Sequence, residues 1–140
     1  MASSWDPAQL AGDWWDYQRL SRGSREERKA LELGGSARAR AAHDLVDEAV
    51  QRGGSDAAEL LAVLAEATPA GDDGTAVGVG PLEDLIHEHG DDLIGEIVSC
   101  ARQRPQFAQA LAFAWVERGY LAASTEDRLR PWVGQFTSNS

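Results

Sequence analysis

The chain has a single cysteine in 140 residues. That lone thiol, Cys100, excludes an internal disulfide and any metal centre built on several thiolates, and it suits a reducing compartment. Cytoplasm is the location it predicts. The opening residues, Met1-Ala2-Ser3-Ser4-Trp5-Asp6-Pro7, lack the basic start and long apolar run of a signal peptide. No segment approaches the roughly 20 apolar residues that span a bilayer. Strand signals are almost missing too: there is no sustained apolar/polar alternation and no long cluster of β-branched residues. Lysine is nearly absent, with arginine outnumbering it twelve to one. Together with abundant alanine, this is the bias of a GC-rich bacterial source.

The most informative absence is local. Between residues 72 and 96 there is no lysine or arginine, while eight acids occur: Asp72, Asp73, Glu83, Asp84, Glu88, Asp91, Asp92 and Glu96. Over the whole chain 23 acids face 13 bases, a net charge of −10. Such a balance argues against binding the phosphate backbone of nucleic acid and against anionic membrane surfaces, and it favours a basic protein partner. The oligomeric state has no sequence signature.

What is present is helix. The length is that of one domain, residues 1–140, with one core. Ser4 or Asp6 can cap a first helix with Pro7 in its first turn and a Leu10, Trp14, Tyr17 stripe. Ser24 opens a short charged helix ended by Gly34-Gly35. From Ser36 the residues Ala42, Leu45, Val46, Ala49 and Val50 share a face, up to Gly53-Gly54. Ser55 is the expected cap of an Ala- and Leu-rich helix carrying Leu60, Leu61 and Leu64.

Residues 68–79 read as a mobile acidic loop, since Pro69, Gly71 and Gly74 accompany Asp72 and Asp73. Gly80-Pro81 then opens a short helix that is expected to stop at Gly90. Asp91-Asp92 place negative charge at the start of the next, whose inner arc is Leu93, Ile94, Ile97, Val98, Cys100 and Ala101. After Arg104-Pro105 comes a helix apolar on both sides, Phe107, Leu111, Ala114 and Trp115 against Phe113 and Val116. A last element around Leu129, Trp132, Val133 and Phe136 precedes a frayed tail, residues 137–140. The predicted fold is all-α: a single-domain irregular antiparallel array of six or seven short helices, with HEAT-like consecutive pairs over 36–67 and 81–104.

Two spans resemble a known family. Gly80-Pro81-Leu82-Glu83-Asp84-Leu85-Ile86 followed by His89-Gly90, and Ala101-Arg102-Gln103-Arg104-Pro105-Gln106-Phe107 with Ala110-Leu111 and Trp115, resemble small bacterial proteins catalogued as a domain of unknown function. The resemblance covers residues 36–117 and includes His43-Asp44-Leu45-Val46 through Leu60-Leu61. Here Gln103-Arg104 replaces the acid usual before Pro105, and the 68–79 loop is long. The resemblance implies an all-helical fold and no particular activity.

Among chemically active residues, His87 and His89 stand amid acids, but two helical residues two apart point about 200° away from each other and cannot ligate from one face. Glu83 and His87, at i and i+4, are the only well-spaced metal-ligand pair, one short of a site. Cys100 falls on the inward arc, unlike a reactive thiolate. His43 borders an apolar face and reads as a packed histidine. No serine lies in a nucleophile elbow, and no glycine loop has phosphate-cradling spacing. Trp14 and Trp15 differ by about 100° around a helix, so one of them, Trp15, is a candidate exposed contact.

No catalytic set or cofactor is expected. The reading that follows is a cytoplasmic protein-binding module, an immunity-type inhibitor or adaptor, using the acidic face Glu83, Asp84, Glu88, Asp91 and Asp92. The alternatives are a metal-dependent hydrolase using Glu83, His87 and Asp91, and a small-molecule sensor with its pocket beside residues 107–115.

Overall fold

A computed structural model describes residues 6–33 and 37–137. Ser4, Trp5, the Gly34-Gly35 stop, the Ser36 start and residues 138–140 of the expected tail lie outside the described residues. The fold is all-α, with one small addition noted below.

Helix α1 (Pro7–Ser21) begins as expected: Asp6 accepts the amide of Ala8 at 3.1 Å, and Pro7 occupies the first turn where no N–H is needed. Helix α2 (Arg25–Glu32) has a complete capping box, with Ser24 Oγ accepting from Glu27 N and Glu27 accepting from Ser24 N. Helix α3 (Ala37–Arg52) lies chiefly against α1, and α4 (Ala57–Glu66) packs on α1, α6 and α7. Because α3 leans on α1 more than on α4, the HEAT-like pairing of α3 with α4 is not the organising contact. Ser55 does not cap α4; Asp56 holds the N-cap position without a side-chain bond.

The helix buried on most sides is α4, not the one expected at 107–115; its exposed edge is Glu59 and Glu66, both paired with Arg104. Its Ala57, Ala58, Leu60, Leu61, Ala62, Leu64 and Ala65 are all buried. Alanines on several sides let neighbouring helices approach closely, and the leucines fill the spaces between them. Truncating Leu61 or Leu64 in such a setting costs about 2–5 kcal/mol.

Residues 67–74 are irregular, but from Thr75 the chain is helical again. A one-turn α5 (Thr75–Val77) leads into a π-helical turn (Gly78–Leu82), which runs straight into α6 (Glu83–Gln103). Pro81 explains the wide turn: it has no N–H to donate, and its ring crowds the carbonyl four residues back. The chain responds by a longer bond, Glu83 N to Gly78 O. The expected break at Gly90 is absent. Gly90 is buried within α6, where a Cβ would lie 3.3 Å from both Leu121 methyls, so the glycine serves close packing and not helix termination.

The expected helix through Trp115 is also corrected. Helix α7 (Pro105–Leu111) ends early, and Trp115–Glu117 forms a strand, β1, that pairs in parallel with β2 (Gln135–Thr137) in register Val116 to Phe136. Between the strands lies α8 (Ala123–Leu129). Val116 is fully buried, while Trp115, expected in the core, is half exposed because successive strand residues face opposite ways.

Candidate functional site

Helix α6 carries two acidic rows with different uses. One is Glu83, His87 and Asp91, spaced by four and therefore stacked on one side. Glu83 Oε2 accepts the backbone amide of Trp115 at 3.1 Å, and Asp91 Oδ1 accepts that of Ala122 at 3.0 Å. Between them the His87 ring meets Tyr120 edge-on at 5.2 Å. This row fastens the segment 115–122 to α6. Its carboxylates satisfy amides that the turn leaves without partners.

The three residues considered for a hydrolase are thus committed to holding the chain. Among the described residues no three His, Cys, Asp or Glu side chains are grouped so as to hold a metal ion. Cys100 is half-buried rather than fully inward, and burial, followed by the negative charge of Glu59, pushes its thiol pKa up, which disfavours the thiolate. Phe107 and Leu111 are fully buried in the core and Trp115 leaves on β1, so these residues fill space instead of enclosing a pocket.

Trp15, the candidate contact, is buried together with Trp14. Both fit inside because α1 has neighbours on two sides. Trp14 lines a cleft together with His43 and Val46 of α3, and Trp15 donates its Nε1 hydrogen to Leu64 O of α4 at 2.8 Å. The two rings meet at 5.1 Å in an edge-on pair.

The second row is Asp84, Glu88 and Asp92, all exposed, with Asp91 beside them. It continues across to α3, because Asp84 and Asp47 line the same cleft. The carboxyl of Asp84 is held above the ordinary aspartate range, first by partial burial and then by the charge of Asp47; His87 opposes the shift and Glu88 adds to it. No cation pairs with Asp84 among the described residues.

That cleft encloses about 150 Å³ and lies where α1, α3 and the π-helical turn meet. Its lining includes Trp14 and Gln18 from α1, His43 and Asp47 from α3, and Pro81 and Asp84. The imidazole of His43 stacks on Tyr17 at 4.0 Å, and its Nδ1 is buried without a hydrogen-bond partner. Sequence reasoning did not assemble this group. His43 reads from the sequence as a packed histidine, and Gly80-Pro81 as the opening of a helix and not as a widened turn.

The family comparison bears on this region. A model for a Family of unknown function (DUF6869) matches residues 36–129. The chain belongs to that family. The matched span runs from α3 to α8, so the DUF6869 part supplies His43, Asp47, Pro81 and Asp84, whereas the α1 wall of the cleft lies outside it. It also reaches past the resemblance read over 36–117, to take in α8. No curated protein and no solved structure matches the chain.

Proposed function

We propose that this chain is a protein-binding module whose acidic face, Asp47 of α3 with Asp84, Glu88 and Asp92 of α6, receives a basic protein. The observation that carries the reading is the arrangement on α6. One acidic row is spent on the segment 115–122, and a second, Asp84, Glu88 and Asp92, is turned outward with no ion-pair partner among the described residues, beside Asp47 from another helix. Charges used only to keep a protein soluble are expected to be interspersed with bases. A one-sign face instead speeds encounter with a partner of the opposite sign and repels wrong ones.

Glu83 and Asp91 drop out of the expected contact set, since their carboxylates are occupied internally, and Trp15 drops out because it is buried. The role that follows is that of an immunity-type inhibitor or an adaptor acting on a basic protein in the cytoplasm. Among the described residues no helix is long and apolar enough to cross a membrane.

The test is an affinity capture from host lysate at low salt, using the wild type and a variant carrying Asp84→Asn, Glu88→Gln and Asp92→Asn. The expected result is a specific basic protein retained by the wild type, lost from the variant and released by moderate salt. Equal capture by both forms would make the face a solubility device.

A further inference from the structure

We propose that the chain associates with itself head to tail, the basic helix α2 of one copy lying along α6 of the next. Arg25, Arg28 and Lys29 then face Asp84, Glu88 and Asp92. This deepens the preceding reading, on which it rests for the sign of the partner, and it differs in naming a second copy of this chain as the basic protein.

Charge is the first support. Of the 13 bases, Arg22, Arg25, Arg28 and Lys29 fall close together, are all exposed, and take part in no ion pair among the described residues. Residues 44–101 carry 14 acids and a single base, Arg52, which is itself paired with Glu48. The basic helix and the outward row of α6 are thus opposite in sign, and neither is neutralised within its own copy. Their dimensions agree as well. Asp84, Glu88 and Asp92 are spaced by four, so the row is about 12 Å long, and Arg25 to Leu33 covers the same length. On α2 the side chains of Arg25, Arg28, Lys29 and Leu33 share an arc of about 140° with one acid, Glu32. The helix is also free to dock, since it packs chiefly on α1 and buries only Leu31.

Apolar exposure is the second support, and it is independent of charge. Among the described residues the exposed large apolar side chains are Leu33, Val79, Trp115 and Tyr120. Leu33, 77% exposed, ends the basic helix. The other three border the acidic row: Val79 stands one turn before Glu83, Trp115 gives its amide to Glu83, and the Tyr120 ring meets His87. Single exposed apolar residues are ordinary, but here each accompanies one of two surfaces of opposite charge. Brought together, they form the dry centre of an interface whose rim is ionic. A symmetric contact through α6 fails on charge, because the acidic row of one copy would meet that of the other. A head-to-tail contact leaves one surface free at each end and so builds rings or chains.

The experiment measures the mass of the full chain by sedimentation equilibrium, from micromolar to millimolar protein, at low and at high salt. The expected result at low salt is a concentration-dependent mass above that of the 15.1 kDa chain, with an association constant that falls at least tenfold at high salt. Arg25→Gln with Lys29→Gln, and separately Glu88→Gln with Asp92→Asn, should each return the chain to a monomer. Mixed together, the two variants should form a one-to-one pair and stop there, because one supplies the only intact acidic row and the other the only intact basic helix. That recovery also shows that both variants are folded. Leu33→Ser and Tyr120→Ser should each weaken association severalfold at either salt concentration. A chain that is monomeric at low salt and millimolar concentration overturns the proposal, as does association unchanged in either charge variant, or a mixture of the two that stays monomeric.

Failure of this contact and failure of the acidic face are separable. A monomeric chain that still captures a foreign basic protein, lost on Glu88→Gln with Asp92→Asn, keeps the face and removes the self-contact. A chain that assembles through α2 but captures no foreign protein through the face keeps the self-contact and removes the inhibitor or adaptor role.

Discussion

His89 Nε2 lies 2.7 Å from the backbone carbonyl oxygen of Gln51, so a side chain in the middle of α6 closes the end of α3. The last four carbonyls of a helix have no partner within it, and here one is taken by an imidazole N–H from another helix. Gly53 follows with φ +67°, and its Cα carries no side chain where the His89 ring stands. Helix end, left-handed glycine and histidine form one unit. His89→Ala should therefore cost about 1–2 kcal/mol, seen as a lower denaturation midpoint with an unchanged slope.

Gly53→Ala should cost more than an ordinary left-handed glycine replacement, about 1–3 kcal/mol, because its new methyl meets the His89 ring as well as an unfavourable φ. Gly71 is the control: it also has a positive φ, +94°, but nothing lies within 4 Å of its Cβ position. The two substitutions should differ by the clash alone. In a double-mutant cycle Gly53→Ala should be milder once His89 is alanine. Equal costs in both backgrounds would show that the ring and the glycine are not coupled.

Trp15→Phe tests whether the tryptophan is structural. Phenylalanine keeps most of the apolar volume but removes the indole donor, leaving Leu64 O with only the amide of Ala67 at 3.2 Å. The expected loss is about 0.5–1.5 kcal/mol, with no effect on capture of a basic partner. A variant that folds as stably as the wild type but binds its partner less well would return Trp15 to the surface role that its helix phase suggested.

Helix existence was legible because period-3.6 patterning and capping residues act locally: Asp6-Pro7 and Ser24 with Glu27 do in the structure what their order in the sequence implies. The errors have a common cause, which is tertiary contact overriding local signals. Gly90 looked like a stop, yet Leu121 needs the room. Trp14 and Trp15 could not share one buried face, but α1 has two neighbours. Trp115 matched a helical stripe from Leu111, but three residues of strand are too short to show a period of two. The acidic stretch was visible as composition. Its division into an inward row and an outward row was not, because Trp115 and Ala122 lie 32 and 31 residues from the carboxylates that hold them.

The outward row also has a consequence for stability. Asp84 has a carboxyl pKa raised above its ordinary value of 3.8, by burial and by Asp47. The folded state thus binds its proton more readily than the unfolded chain, and stability falls as pH rises from the unfolded pKa through the folded one. Below that window both states are protonated and the charge costs nothing. Asp84→Asn should therefore raise the melting temperature at pH 7, by an amount worth less than about 1 kcal/mol given the exposure of the residue, and the gain should vanish below about pH 4. Thermal melts of both forms across that range decide it; no gain at neutral pH would mean that the solvent has already relieved Asp84.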